Sequence, residues 1–268
     1  MDNYVHSYWK NIREEIADYL MNRMDEGYLR YNPLRFNLGP DITGVSPLRR
    51  SRIRNILKKN DALGNFFRGF TESKIGQPVV DPVIGLGTPA IMGNSVDYFF
   101  YLSRITQELI PKFKSCVELG GGYGGLSRII RIYQPKITYV LIDLPEALSL
   151  QLLYHKLNFP NFPAIPHYQE KIKIQSGALN LVPVWSFESL KVRPDIFIST
   201  YALTETTDQL REDVVKLNFF EAKTVYIVGG TDNKFKSHIQ MQNLVKAKRK
   251  DVKIMPLRDN CYEILAGL

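Results

Sequence analysis

Cys116-Val-Glu-Leu-Gly-Gly-Gly-Tyr-Gly-Gly-Leu-Ser-Arg-Ile-Ile130 is the stretch that decides the fold: a short apolar strand turns through five glycines into a helix pattern. Glycine accepts positive φ and carries no Cβ, so such a turn brings bare backbone and a helix N-terminus against a ligand. Gly120, Gly122 and Gly125 satisfy GxGxxG, and Asp143 closes the next strand pattern, Tyr139-Val-Leu-Ile-Asp143, so a dinucleotide site is formally permitted. Glu118, Gly120, Gly122 and Gly124 also satisfy ExGxGxG, in which an acid precedes the turn by two residues.

That acid separates the two readings. A carboxylate beside the loop repels a dinucleotide's phosphates and attracts a cationic ligand such as S-adenosylmethionine, which carries a sulfonium and an ammonium. Asp143, at the end of the second strand, can accept two hydrogen bonds from vicinal ribose hydroxyls.

Downstream, short β-rich runs alternate with helical stretches. Strands are expected at Cys116–Leu119, Thr138–Ile142, Asp195–Ser199, Thr224–Val228, Val252–Pro256 and Tyr262–Leu265, with a weaker one near Leu181–Trp185. The alternation implies βαβ units and a largely parallel sheet, whose ligand crevice lies at the carboxyl ends of the strands. Upstream, apolar residues at steps of three and four mark an amphipathic helix from Tyr4 to about Met24. Residues 27–93 are rich in Gly, Pro and aromatics around a helix at Pro47–Lys59, and an apolar helix pattern, Val96–Leu109, leads into the α/β part. The chain thus divides at about residue 95 into an accessory, substrate-lid region, 1–94, and an α/β domain, 95–268.

At 268 residues, 44% of them hydrophobic, the chain can bury a full core without covalent staples. Its two cysteines, Cys116 and Cys261, form no metal-binding pattern and read as buried thiols. No run approaches the roughly 18 apolar residues of a membrane span, and the N-terminus has no signal-peptide core, so a cytoplasmic protein is expected. The net charge of +8 favours an anionic partner. The excess is spread along the chain rather than drawn into a tail, and the two basic stretches, Arg49–Lys59 and Lys246–Lys250, read as solvated faces.

Three segments together, VELGGGYGGLSRII, YVLIDLPEALSLQLLYHKL and DIFISTYALTETTDQ, resemble class I S-adenosylmethionine-dependent methyltransferases, specifically the bacterial sugar O-methyltransferases. Phe70-Thr-Glu-Ser-Lys-Ile-Gly-Gln-Pro78 is similar to that family's ExxIGxP element, and the resemblance covers roughly residues 66–268. It implies a Rossmann-like sheet, mostly parallel with an antiparallel last strand, S-adenosylmethionine as cofactor and a sugar hydroxyl on a nucleotide-sugar or surface glycan as acceptor. By motif it places Glu118, Gly120, Gly122 and Asp143 at the cofactor; Tyr123, Leu144 and Thr200 are further cofactor candidates, and Glu72 and Tyr201 are candidates at the acceptor. After the fourth strand the family's Asn and Ser-Phe are replaced by Thr200-Tyr-Ala-Leu-Thr, and only Glu205 carries over.

Methyl transfer to a hydroxyl calls for positioning, exclusion of water and a base. Glu205 is the first candidate base, with a helix N-cap or first-turn role as its alternative, and His238 is the second. His155 and His167 are weaker candidates. Trp185 and Ser186, after the weaker strand, are expected at the adenine. Glu72, with Gly76 and Pro78, either positions substrate or closes over the cofactor, or belongs to a rigid turn joining the two regions. No metal cluster is evident, although Asp208 and Asp232 leave a magnesium-assisted variant open. RNA methylation is disfavoured by the absence of a basic tail and of an Asn/Asp-Pro-Pro-Tyr/Phe motif. A nicotinamide-dependent oxidoreductase is disfavoured by Glu118, while a non-catalytic cofactor-binding module and a homo-oligomer stay open.

Overall fold

A computed structural model describes residues 4–31, 38, 45–58, 61–82, 90–109, 112–169, 171–231, 238–258 and 260–267. Eight strands form one sheet: β1 (Ser115–Leu119), β2 (Thr138–Asp143), β3 (Ala164–Pro166), β4 (Leu179–Pro183), β5 (Ile196–Thr200), β6 (Thr224–Gly230), β7 (Lys250–Arg258) and β8 (Cys261–Gly267). Their order is β3-β4-β2-β1-β5-β6-β8-β7, with every pairing parallel except those of β8, which runs antiparallel to both β6 and β7. This is the expected α/β, Rossmann-like sheet with a reversed last strand. Its order changes direction between β1 and β5, so the crevice of the fold lies outside their carboxyl ends.

The described helices are α1 (Ser7–Asn22), α2 (Pro47–Lys58), α3 (Ala62–Gly69), α4 (Gly93–Arg104), α5 (Gly125–Tyr133), α6 (Pro145–Asn158), α7 (Ala202–Glu205), α8 (Asp208–Lys216) and α9 (His238–Lys248). Side chains alternate across the sheet, as strand geometry requires. Cys116, Tyr139, Leu141, Ile196, Ile198 and Tyr226 face one core, which continues into Ile53, Ile56, Phe67, Phe70 and Phe99 of the N-terminal part. Val117, Leu119, Val140, Ile142, Phe197 and Ile227 face the other, with Leu210 and Val214 of α8 and Met241 and Val245 of α9.

Several expectations are corrected. The helix expected to reach Leu109 ends its α-helical part at Arg104 and continues as a π turn, Ile105–Leu109. The strand placed near Leu181–Trp185 begins and ends two residues earlier, because Trp185 already belongs to a 3-10 turn, Val184–Ser189. Strand β3 and helix α3 were not expected.

The basic stretches are not simply solvated. Arg49 and Arg52 are buried, and both guanidiniums clamp Asp97 of α4. Arg249 is buried too, donating from Nη1 to Ala222 O at 2.6 Å and from Nη2 to Asn218 O at 2.7 Å. It braces an unusual turn in which Asn218, Phe219, Phe220 and Glu221 all have φ between 48° and 57°, a left-handed conformation that costs an L residue about 1–2 kcal/mol. Cys116 is buried as expected, whereas Cys261 is only half-buried.

Candidate active site

The loop after β1 is the centre of the site. Gly120 (φ +80°) and Gly122 (φ +58°) are left-handed, and a Cβ on either would collide with protein. At Gly120 it would overlap the side chain of Ala202, which follows β5, so the ends of β1 and β5 close on each other here. At Gly122 it would come within 2.5 Å of Leu38 O, the same carbonyl that accepts the Tyr123 N–H at 3.1 Å. These two glycines therefore serve close packing of protein on protein, beyond the ligand approach read from the sequence.

The loop's donors are also largely committed. Gly120 N–H goes to Ile142 O at 2.9 Å, Gly124 N–H to Gly121 O at 2.9 Å, and Gly121 N–H to Asp143 Oδ2 at 2.9 Å. A pyrophosphate needs such donors free, which weakens the dinucleotide reading further.

Asp143 organises the loop from the end of β2. Besides Gly121 N–H, its Oδ2 accepts from Gln151 Nε2 at 2.8 Å, and its Oδ1 accepts Leu144 N–H at 2.8 Å. Gln151 Nε2 also donates to Gly122 O at 2.9 Å, a tie that sequence reasoning missed because nothing but its place on α6 marks it. Burial pushes the Asp143 carboxyl up to about 6 against the pull of these three donors. One lone pair of Oδ1 remains for an external hydroxyl.

Glu118 is in a different state. It is 1% exposed, and its carboxylate accepts one hydrogen bond among the described residues, from Tyr139 Oη to Oε2 at 2.8 Å. No cation stands within ion-pair distance of it among these residues, and burial pushes its carboxyl up to about 8, with Tyr139 pulling down and Asp143 pushing further up. A buried carboxylate with an unfilled oxygen is costly alone and favourable once a cation arrives.

On the other side of the crevice Tyr201, directly after β5, has φ +70° and ψ −40°, a conformation disfavoured for any side chain but glycine. It is held by its own N–H to Val228 O at 2.7 Å, and its hydroxyl lies 3.7 Å from Cys261 Sγ. Thr200 ends β5, and Glu205 ends α7, half-buried at the same edge. The cap of the following helix belongs to Thr207, whose side chain accepts Leu210 N–H, while Glu205 itself lies in the first turn of α7, the first-turn position of its alternative reading. Trp185 and Ser186 lie just beyond β4, where Pro183 pairs with Asp143, and both are half-buried. Leu144 joins the same edge.

The remaining candidates lie elsewhere. Glu72 is bonded within the protein: Oε1 to Arg128 Nη1 at 3.1 Å and Ser73 N–H at 3.1 Å, Oε2 to Met92 N–H at 3.2 Å. Arg128 also donates to Thr71 O and Asn158 Oδ1, so Glu72 and Arg128 tie the segment at Thr71–Ser73 to α5. His155 is buried behind the loop, with Nε2 2.8 Å from Ser127 Oγ, and burial, then Arg131 and Arg128, pull it down to about 3. His167 pairs with Asn180 Oδ1 at 3.0 Å on the β3–β4 edge. His238 opens α9, and its side chain, like Asp232, falls outside the described residues. Asp208 is paired with Arg211. Among the described residues no three His, Cys, Asp or Glu form a metal-binding group, and no helix is long and apolar enough to cross a membrane.

No family model and no curated protein matches the chain. Solved structures with partial likeness include PigF with SAH (10% identity, 63% of this chain and 60% of that one, TM-score 0.43). The methyltransferase domain of bacterial CtHen1 (10%, 65% and 99%, 0.46) and the PH0226 protein of Pyrococcus horikoshii OT3 (12%, 63% and 91%, 0.45) are others. The chain therefore spans about three fifths of the length of PigF.

Proposed function

We propose that the chain is an S-adenosylmethionine-dependent O-methyltransferase acting on a sugar hydroxyl of a nucleotide-sugar or surface glycan. The observation that carries the cofactor is the state of Glu118: buried beside the glycine loop, with one hydrogen bond and no cation. A ligand with a sulfonium and an ammonium supplies the missing positive charge, and Asp143 keeps a lone pair for a ribose hydroxyl. The O-methyl and sugar parts rest on the sequence resemblance and on the acid retained at Glu205.

When bound, the cofactor supplies an electrophilic methyl group. Glu118 holds the cationic ligand by charge, and Asp143 fixes both the loop and the ribose. Tyr201 would orient the acceptor hydroxyl, and Glu205 would accept the proton that this hydroxyl gives up on methylation. An RNA acceptor fits less well, because Arg49, Arg52 and Arg249 are buried in structural contacts and unavailable to phosphates.

Calorimetric titration with S-adenosylmethionine and S-adenosylhomocysteine at pH 6.5, 7.5 and 8.5 tests the cofactor. Binding should tighten as pH rises through 8, with a proton released at the lower pH values, and should weaken strongly in Glu118→Gln. Binding indifferent to both pH and that substitution would remove the basis of the reading.

A further inference from the structure

Helix α1 is tied down on two sides of the crevice. At its N-terminal approach the Tyr4 hydroxyl donates to Glu188 Oε1 at 2.6 Å and lies 3.3 Å from Asp213 Oδ2, while its ring meets Phe187 edge-on at 5.5 Å. Glu188 belongs to the turn that follows β4. Nine residues on, Arg13 grips Glu146 with a two-pronged fork, Nε to Oε2 at 3.0 Å and Nη2 to Oε1 at 2.9 Å. Glu146 lies in the first turn of α6, three residues beyond Asp143.

Since β2 and β4 are neighbours, with Asp143 opposite Pro183, a segment anchored at Glu188, in the turn after β4, and at Glu146, in the helix after β2, runs between the two elements that leave their carboxyl ends. Those ends carry Asp143, Leu144, Trp185 and Ser186. Between the anchors Val5 is buried, and Trp9 and Ile12 pack on a cluster that includes Tyr123 of the glycine loop and Ala147, Leu150 and Tyr154 of α6. The core that closes this edge is thus completed from the N-terminus.

Resting on the cofactor reading above, we infer that α1 roofs the nucleoside half of the crevice and that the Arg13–Glu146 fork latches it, making Arg13 a positioning residue for cofactor retention. A bidentate, half-buried arginine–carboxylate pair is among the stronger polar ties a helix can make to its neighbour. The roof must open for the nucleoside to leave, so the strength of the latch enters the dissociation rate directly.

The chain's two tryptophans, Trp9 on the roof and Trp185 at the end of β4, give an intrinsic signal for stopped-flow release of S-adenosylhomocysteine. Arg13→Ala and Glu146→Ala should each speed dissociation about tenfold, the double variant no more than either single one, and the exchanged pair Arg13→Glu with Glu146→Arg should recover most of the loss. A merely structural role would lower the melting temperature and leave the dissociation rate of the folded protein unchanged. Wild-type protein that fails to bind S-adenosylhomocysteine sinks the cofactor reading and the latch together. Binding with a dissociation rate that Arg13→Ala does not move sinks the latch alone.

Discussion

Tyr139 donates its hydroxyl to Oε2 of Glu118 at 2.8 Å, across the pair of central strands β1 and β2, and this bond is all that the described protein offers a carboxylate fully removed from water. The carboxyl stands near 8 instead of its ordinary 4.5 because burial outweighs that single donor. Below pH 4.5 it is protonated whether the chain is folded or not and has no effect on stability. Between about 4.5 and 8 the folded chain keeps a proton that the unfolded chain releases, so stability falls as pH rises, and above 8 the whole cost, on the order of a few kcal/mol, is present.

Glu118→Gln removes that cost. Its melting temperature should exceed that of wild type by several degrees at pH 8.5, and the difference should shrink to nothing toward pH 4.5. The same substitution should cost most of the affinity for S-adenosylmethionine. Thermal melts at matched ionic strength check the first part; a variant less stable than wild type at pH 8.5 would show that the carboxylate is already compensated.

Asp97 is the acceptor of two buried arginines from α2. Asp97→Ala leaves Arg49 and Arg52 without their shared countercharge, and breaking a buried pair in this way costs about 3–5 kcal/mol. Denaturant titration should show that loss. The cluster lies outside the residues assigned to the cofactor, so affinity for S-adenosylhomocysteine below the transition should be unchanged.

The Arg249 side chain holds two carbonyls flanking the left-handed turn, Asn218 O and Ala222 O. Each of the four turn residues is strained by about 1–2 kcal/mol, and burial of Phe219 and Phe220 offsets part of that. Arg249→Ala should therefore destabilise the protein by roughly 2–4 kcal/mol, more than loss of an exposed charge could. Arg249→Lys should recover little of it, since one ammonium cannot span two carbonyls as a planar fork does.

Most of the sheet was legible in the sequence because its inner strands β1, β2, β5 and β6 are short runs dominated by apolar residues, and the glycine loop marks which strand is central. β3 was not, since Ala164-Ile-Pro166 is three residues long among prolines and pairs only with β4, an edge position where a missing N–H is tolerated. Nor was α3, whose eight residues begin and end near glycines. The burial of Arg49, Arg52 and Arg249 was hidden because their partners lie 27–48 residues away in the chain, and charge alone reads as surface. Of the candidate site, the motif singles out Glu118 and Asp143 and the structure brings both to the glycine loop. What each glycine touches depends on Ala202 and Leu38, which no local pattern connects to the loop.

Gly120→Ala and Gly122→Ala separate the two roles of the loop. Both place a Cβ at positive φ, and both meet protein, Ala202 in one case and the Leu38 carbonyl in the other. Because Ala202 directly follows Tyr201 and opens α7, Gly120→Ala should disturb the acceptor side and lower turnover more than cofactor affinity. Gly122→Ala pushes on the Leu38 carbonyl that packs on the loop and should weaken S-adenosylhomocysteine binding instead. Equal effects of the two on both quantities would mean that the loop responds as one rigid unit.

Glu205 is the proposed base. It stands at the carboxyl edge of β5, in the first turn of the four-residue helix α7 and two residues before Thr207, which caps α8. If its carboxylate takes the acceptor's proton, Glu205→Gln should lower kcat by about 10²–10⁴ and leave the affinity for S-adenosylhomocysteine within a factor of two. Tyr201→Phe, which keeps the ring and the strained backbone but removes the hydroxyl, should raise KM for the acceptor more than it lowers kcat. A Glu205→Gln enzyme of near-normal turnover would move the base elsewhere and reduce catalysis at this edge to positioning and exclusion of water.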